Sequence, residues 1–166
     1  MRLRELNRRE LQSLRKLREE FGPDIDRAFK GRKVLIAQEG RREVFVASRR
    51  ACRALAAMGK ELYFAGLYIG EIRKGDFVLG LEGAALLGQE AKRVYVSDEA
   101  EQLVLYGRDV LSKSVTKVVG ELQRGDRCLI VNSRSEVIGI GRFKGPREEV
   151  SIENVLDRGW YLRSGE

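Results

Sequence analysis

The sequence contains no histidine and only two cysteines, so the usual residues of metal and nucleophile chemistry are largely missing. Histidine is the commonest general base and the commonest metal ligand, and without it no Ser-His or Cys-His nucleophile can form. Cys52 and Cys128 lie far apart and outside any CxxC pair. We expect both to be small buried side chains in a reducing compartment. Asp, Lys or Tyr could still act in catalysis, but we predict no catalytic residue, no metal and no cofactor.

Long apolar runs are also lacking. No run approaches the roughly 20 residues that a helix needs to cross a membrane. The N-terminus, MRLRELNRRE, is charged throughout, unlike a signal peptide. We therefore expect a soluble intracellular protein that has no contact with a membrane.

Positive charge is in excess, with 32 Lys and Arg against 25 Asp and Glu, for a net charge of +7. Such an excess favours an anionic partner but does not identify one. A second interpretation is open, because abundant Arg, Lys and Glu with only three Asn is also typical of a thermophile's surface.

The first half of the chain indicates an α+β unit over residues 1–90. Leucines and Phe21 at three- and four-residue spacings predict an amphipathic helix over 3–21, which Gly22-Pro23 ends. The elements predicted after it are a short helix over 24–30, strands over 33–38 and 43–47, a helix over 49–58 capped by Ser48, two strands around Lys74-Gly75-Asp76, and a helix near 84–87.

The second half, residues 91–166, is predicted to be mostly β. A strand over 93–96 leads into a helix that Ser97 or Asp98 caps and Gly107 ends. Further strands are predicted over 115–119, 127–132 and 137–143, with a hairpin turn at 133–135. The tail from Glu148 has no clear pattern, and we expect Trp160 and Tyr161 to pack back on the domain.

Two stretches, VYVSDEAEQLVLYGRDVL and ELQRGDRCLIVNSRSEVIGIGRF, resemble a PUA domain in content and order. The PUA domain is a small β pseudo-barrel. The resemblance implies an α+β chain in which an N-terminal α/β domain with a small antiparallel sheet (1–90) precedes a C-terminal PUA-type pseudo-barrel (91–166).

A narrower signature, AEQ…LYG…VL over residues 100–111, resembles the Nip-seven (nuclear import protein seven) family of large-ribosomal-subunit biogenesis factors. This resemblance implies non-enzymatic binding of uridine- or A/U-rich single strands of pre-rRNA. It also implies a cytoplasmic location for an archaeal member and a nucleolar one for eukaryotic relatives. The sequence departs from the family at Arg108-Asp109, where eukaryotic relatives are expected to have Asn-His.

Basic residues follow this signature along the chain. Residues 108–147 carry nine basic and four acidic side chains, although residues 92–166 as a whole are nearly neutral at +1. For Tyr106 we expect packing under the helix end, with stacking on an RNA base as the alternative. The predicted RNA-binding residues are Tyr106, Gly107, Arg108, Lys113, Lys117, Arg142, Lys144 and Arg147.

Three other functions remain open at this stage. The chain could be an accessory RNA-binding subunit of an RNA-modification enzyme, or a translation-linked PUA protein that binds the small subunit. Its N-terminal domain, with a net charge of +6 over residues 1–91, could dock proteins of the pre-ribosomal particle, the exosome or other assembly factors. We expect a monomer in each case.

Overall fold

The computed structural model describes residues 3–22, 29–37, 39–58, 66–87 and 91–164, with only the backbone at Leu55, Ala56, Met58 and Tyr161. Within these ranges the strands form two sheets, one of five strands and one of six. None of the described helices has the length and apolar character required to cross a membrane. The predicted helix over 24–30 lies largely outside these ranges.

The N-terminal sheet is an antiparallel meander in chain order. Each strand pairs antiparallel with the strand that follows it in the chain, although helices lie in two of the four connections. Lys74 and Gly75 form the last turn with φ angles of 51° and 93°, as a two-residue hairpin turn requires. Its strands are β1 (Leu3–Glu5), β2 (Arg32–Ala37), β3 (Glu43–Ser48), β4 (Leu67–Arg73) and β5 (Asp76–Leu79).

The prediction of one helix over 3–21 is wrong. Residues Leu3–Glu5 form β1 at the sheet edge, and helices α1 (Arg8–Arg15) and α2 (Leu17–Phe21) are separated at Lys16. A capping box sets the start of α1. The Asn7 side chain accepts a hydrogen bond from the Glu10 N–H, and the Glu10 carboxylate accepts one from the Asn7 N–H. The Asn-x-x-Glu pattern is present in the sequence and fixes this boundary locally.

The other helices of this half are close to their predictions. Helix α3 (Arg49–Met58) is confirmed, and the Ser48 hydroxyl accepts a hydrogen bond from the Ala51 N–H at 3.0 Å. Helix α4 (Leu81–Ala85) begins three residues before its predicted start, directly after Gly80.

The C-terminal sheet is curled. Its strands are β6 (Arg93–Val96), β7 (Val110–Leu111), β8 (Val115–Val119), β9 (Arg127–Val131), β10 (Val137–Phe143) and β11 (Val150–Asp157), in the order β7-β11-β10-β9-β6-β8. Strands β7 and β8 lie at opposite edges, yet a 3₁₀ turn of three residues, Ser112–Ser114, connects them. Such a short link requires the two edges to approach each other. The predicted pseudo-barrel is therefore confirmed.

Two elements of the tail were not predicted. Strand β11 joins the sheet between β7 and β10, and helix α6 (Trp160–Arg163) follows it. Trp160 was expected to pack back on the domain, but 48% of its surface stays exposed. The side chain of Tyr161 lies outside the described residues.

Strands β9 and β10 are buried on both faces, which explains the uninterrupted apolar run CLIV. Leu129 and Val131 face the N-terminal layer, whereas Cys128 and Ile130 face the interior of the pseudo-barrel. Such two-sided burial gives continuous apolar runs rather than alternation. Burial also raises the pKa of the Cys128 thiol to about 12, as expected for an inert side chain. Cys52 is only partly buried.

One apolar core joins the two sheets. Side chains of the N-terminal helices and strands, including Leu17 and Phe21, form a single cluster with residues of β9 and β10. The Lys92 N–H donates to the Phe21 carbonyl at 2.9 Å across this junction. The pseudo-barrel is thus packed directly against the N-terminal layer.

Candidate nucleic-acid interface

Helix α5 (Asp98–Leu105) carries the AEQ…LYG signature, and both of its ends are capped. The Ser97 hydroxyl accepts a hydrogen bond from the Ala100 N–H at 3.4 Å, which confirms Ser97 as the N-cap. Three acidic side chains in the first turn complement the helix dipole. Gly107 has a φ of 82°, which confirms that it stops the helix in the left-handed conformation.

The end of α5 is also held by two tail residues that the sequence analysis missed. The Asn154 amide donates to the carbonyls of Val104 at 3.0 Å and Arg108 at 3.2 Å. The Arg163 guanidinium donates to the Leu105 carbonyl. The last carbonyls of a helix have no partner within the helix. Arg163 supplies a partner for Leu105, and Asn154 adds a second donor to Val104, which also accepts from the Gly107 N–H. The tail lacks a clear hydrophobic period, so nothing in its sequence indicated this role.

Tyr106 projects from this fixed helix end. Our expectation that it packs under the helix is wrong, because 72% of its surface is exposed. Gly107 and Arg108 beside it are exposed as well. An aromatic ring next to a guanidinium and an open backbone is suited to stacking on an unpaired base.

Lys113 and Lys117 lie further along the chain, near the start of α5 rather than its end. The chain returns along β7 to the 3₁₀ turn, and the Ser97 N–H donates to the Ser114 carbonyl at 3.0 Å. The eight residues of α5 extend over about 12 Å, and this return places Lys113 near the opposite end of the helix from Tyr106. The Lys117 ammonium lies 5.3 Å from the centre of the Tyr95 ring. Among the described residues neither lysine has a carboxylate partner.

Arg142, Lys144 and Arg147 lie at the end of β10 and in the loop after it, where carboxylates are also present. Glu153 lies 2.7 Å from the Lys144 ammonium and 3.9 Å from the Arg142 guanidinium. The hydrogen bond from Lys144 lowers the pKa of the Glu153 carboxyl. Lys144 also lines a shallow recess whose walls include four carboxylates, those of Asp109, Glu148, Glu149 and Glu153, but only one other cation, Arg124.

The predicted residues therefore lie in three places: the end of α5, the 3₁₀ turn with β8, and the end of β10 with the loop after it. Tyr106, Gly107 and Arg108 are together at the end of α5. Lys113 lies beside the loop that carries Arg147, because the Ser112 N–H donates to the Glu149 carbonyl at 3.0 Å. Carboxylates offset the positive charge around Lys144, so its group is the weakest candidate for contact with phosphates.

Two other cations of the pseudo-barrel are already paired. Arg124 lies 3.0 Å from Glu148, and Arg134 lies 2.7 Å from Glu101 and 3.2 Å from Glu136. No group of three or more Cys, Asp or Glu that could hold a metal ion occurs in the part of the chain that the structure describes.

Comparisons with known proteins agree with this architecture. Residues 92–166 match the family model described as the UPF0113 PUA domain, and residues 3–81 match that of the NIP7/UPF0113 pre-PUA domain. A UPF0113 protein of Archaeoglobus fulgidus is 32% identical over 173 aligned positions, which cover 98% of this chain and 95% of that protein.

Two further similarities concern parts of the chain or its fold. A tRNA-guanine(15) transglycosylase of Pyrococcus abyssi is 28% identical over 129 positions, which cover 74% of this chain and 19% of that enzyme. A conserved PUA domain protein of Thermoplasma acidophilum has the same fold, with a TM-score of 0.60 and 15% identity over 99% of this chain and 100% of that one. The chain belongs to the NIP7/UPF0113 family, whose C-terminal PUA domain is an RNA-binding domain.

Proposed function

We propose that this protein is a non-enzymatic ribosome biogenesis factor that binds uridine- or A/U-rich single strands of pre-rRNA during large-subunit assembly. The observation that carries the proposal is the exposed Tyr106 ring, held between the α5 end and Arg108 on a PUA domain. Unpaired bases are accessible to such a ring, whereas bases inside a duplex are stacked on each other.

Phosphate contacts are assigned to the basic residues that carboxylates do not offset. Lys113 and Lys117 fit this description best and lie on adjoining elements, the 3₁₀ turn and β8. Arg108 adds a third cation beside Tyr106. In this arrangement the lysines contact the RNA phosphates while Tyr106 stacks on one base. Affinity should therefore fall as the salt concentration rises, and single strands should bind more tightly than duplexes.

The test is the salt dependence of binding to a short oligouridylate, measured by fluorescence anisotropy. Replacing Lys113 and Lys117 with Ala should weaken binding and reduce the slope of log affinity against log salt by roughly 0.7 for each lost phosphate contact. The matched control replaces Arg124 and Arg134 with Ala. It removes the same charge from the same domain, but from side chains already paired with Glu148, Glu101 and Glu136.

Affinity and salt slope should fall in the variant that lacks Lys113 and Lys117 and stay near wild type in the variant that lacks Arg124 and Arg134. Equal losses in the two variants would mean that only net charge matters and would reject this face. Crosslinking the protein to RNA in cells and sequencing that RNA tests the biological half of the proposal. Recovery of large-subunit precursors supports it, and recovery of mature small-subunit rRNA contradicts it.

A second candidate is an RNA-binding partner of an RNA-modification enzyme. It is favoured by the similarity to the archaeal transglycosylase, which covers three quarters of this chain but only 19% of that enzyme. Recovery of tRNA rather than pre-rRNA in the crosslinking experiment would favour this candidate.

A further inference from the structure

A cleft of about 660 Å³ lies between the two sheets, away from the predicted RNA-binding residues. Its volume falls within the roughly 300–1,000 Å³ that is typical of small-molecule sites. Aromatic rings stand on both sides, Phe45 and Tyr68 on the N-terminal sheet and Trp160 on helix α6. Leu79, Ile140 and Leu156 are among its apolar lining residues.

The aromatic side of the cleft is built by strand pairing. Phe45 of β3 and Tyr68 of β4 are cross-strand neighbours, and their rings meet edge to face with centroids 5.9 Å apart. Gly80 lies directly beside the Tyr68 ring, where a Cβ atom would come within 2.9 Å of it. The position of the Tyr68 ring is thus fixed by its neighbours.

Charged groups accompany the rings. Three guanidinium groups line the cleft, those of Arg41, Arg73 and Arg127, together with the carboxylates of Glu43 and Glu71. Glu71 forms an ion pair with Arg73, and Arg127 lies 3.7 Å from Glu20. This combination suits a nucleotide, since rings stack on the base, cations meet the phosphate and carboxylates accept hydrogen bonds from N–H groups of the base edge.

Helix α6 links this cleft to the proposed RNA-binding edge. Trp160 begins the helix and lines the cleft, and Arg163, one turn later, donates to the Leu105 carbonyl. The Arg163 guanidinium also lies 3.0 Å from where a Cβ of Gly107 would be. The single turn of α6 thus joins the cleft residue Trp160 to the end of α5, where Tyr106 lies.

We propose that the cleft binds one unstacked nucleotide of the same single-stranded RNA that contacts Tyr106. The inference rests on the proposed RNA-binding function and adds a second base-binding site to it. The site is formed by both sheets, so neither half of the chain would provide it alone.

Trp160 is the only tryptophan of the chain, so its fluorescence reports on this site directly. Titration of the full chain with a short unlabelled oligouridylate should quench the Trp160 emission at the RNA concentration at which a labelled copy binds by anisotropy. An abasic ribose-phosphate chain of the same length should leave the emission unchanged, because it has no base to stack.

Substitutions distinguish the contribution of base stacking to the affinity from the contribution of charge. Trp160→Ala should weaken oligouridylate binding about tenfold, whereas Trp160→Phe keeps a ring and should remain close to wild type. Arg41→Ala should also weaken binding, because Arg41 lines the cleft and has no ion pair among the described residues. The matched control is Arg8→Ala on α1, which removes the same charge from an exposed position outside the cleft and should leave the affinity near wild type.

The outcomes distinguish the two proposals. If the oligouridylate binds but neither quenches Trp160 nor loses affinity in Trp160→Ala, the cleft does not bind RNA, while the proposed function stands. The cleft would then be open to a protein partner. If the labelled oligouridylate does not bind the wild-type chain at all, both proposals fail.

Discussion

At the scale of single residues, Glu10 is a buried carboxylate with several hydrogen-bond partners. It is 4% exposed and accepts hydrogen bonds from both terminal nitrogens of Arg4 at 2.7 Å and from the Asn7 N–H at 2.8 Å. Arg42 forms a further ion pair with it. The Arg4 hydrogen bond, aided by Asn7 and Arg42, lowers the pKa of the Glu10 carboxyl from 4.5 to about 2.

This shift predicts acid sensitivity. A carboxyl whose pKa is lower in the folded state stabilises the protein above its unfolded pKa, and that stabilisation is lost as pH falls. Glu10 should therefore contribute about 3 kcal/mol to the free energy of unfolding at neutral pH, and lose it between about pH 4.5 and 2. Urea denaturation at several pH values measures this, with Glu10→Gln expected to be less stable at neutral pH.

The control is Glu5→Gln, since Glu5 pairs with Lys33 on the surface and its side chain is 66% exposed. That variant should keep nearly wild-type stability because exposed ion pairs contribute little. Wild-type protein and Glu10→Gln should converge near pH 2. Parallel stability curves for these two proteins across the acid range would contradict the role of Glu10.

Gly107 and its neighbour show which features a local sequence pattern predicts and which it does not. Its place after the periodic residues of α5 predicted a helix stop, and its φ of 82° agrees. The sequence analysis also expected Tyr106, the residue before it, to pack under the helix end. Tyr106 is exposed because other side chains, Asn154 and Arg163, already cover the helix end.

At the scale of elements, helix α6 fastens the last strand to α5 through one side chain. Arg163 donates to the Leu105 carbonyl and lies 2.8 Å from the Asp157 carboxylate. Asp157 is 3% exposed, and Asn154 also donates to it at 3.3 Å. The pair is buried on one side only, because 36% of the Arg163 side chain is exposed, but removing Arg163 leaves the buried Asp157 carboxylate without this cation.

We expect Arg163→Ala to lower the free energy of unfolding by about 2–4 kcal/mol, because it uncaps Leu105 and leaves Asp157 without its counter-ion. A double-mutant cycle with Asp157→Asn measures the coupling between the two side chains in urea denaturation. The double variant should lose less than the sum of the single losses. Strictly additive losses would show that the pair is not coupled.

At the scale of the whole molecule, the two sheets share one core. Leu17 and Phe21 of α2 are 2% and 0% exposed and belong to the cluster that contains Leu129 of β9. Loss of packing in the N-terminal layer should therefore destabilise the pseudo-barrel as well. If the two halves folded independently, loss of packing in the N-terminal layer would leave the stability of the pseudo-barrel unchanged.

Leu17→Ala should reduce stability by about 2–5 kcal/mol and speed amide hydrogen exchange in β9 and β10, which lie in the other sheet. Leu11→Ala is the matched control, since Leu11 is on α1 and 39% exposed, and should change little. Exchange in β9 and β10 that stays at its wild-type rate in Leu17→Ala would show that the halves unfold independently.

The sequence by itself determined the features that depend on neighbours along the chain. Caps at Ser48 and Ser97 and the turn at Lys74-Gly75 follow from residues a few positions apart, and the AEQ…LYG signature indicated the family. The domain boundary near residue 90 and the RNA-binding residues remain predictions.

Only the tertiary structure decided which distant residues meet. The tail carried no period, yet it supplies β11, the contacts of Asn154 and Arg163 with α5, and the position of Trp160 in the cleft. Edge strand β1 likewise depends on β2, about thirty residues away. These contacts join segments that are far apart in sequence. Neither segment alone therefore shows a hydrophobic period from which the contact could be predicted.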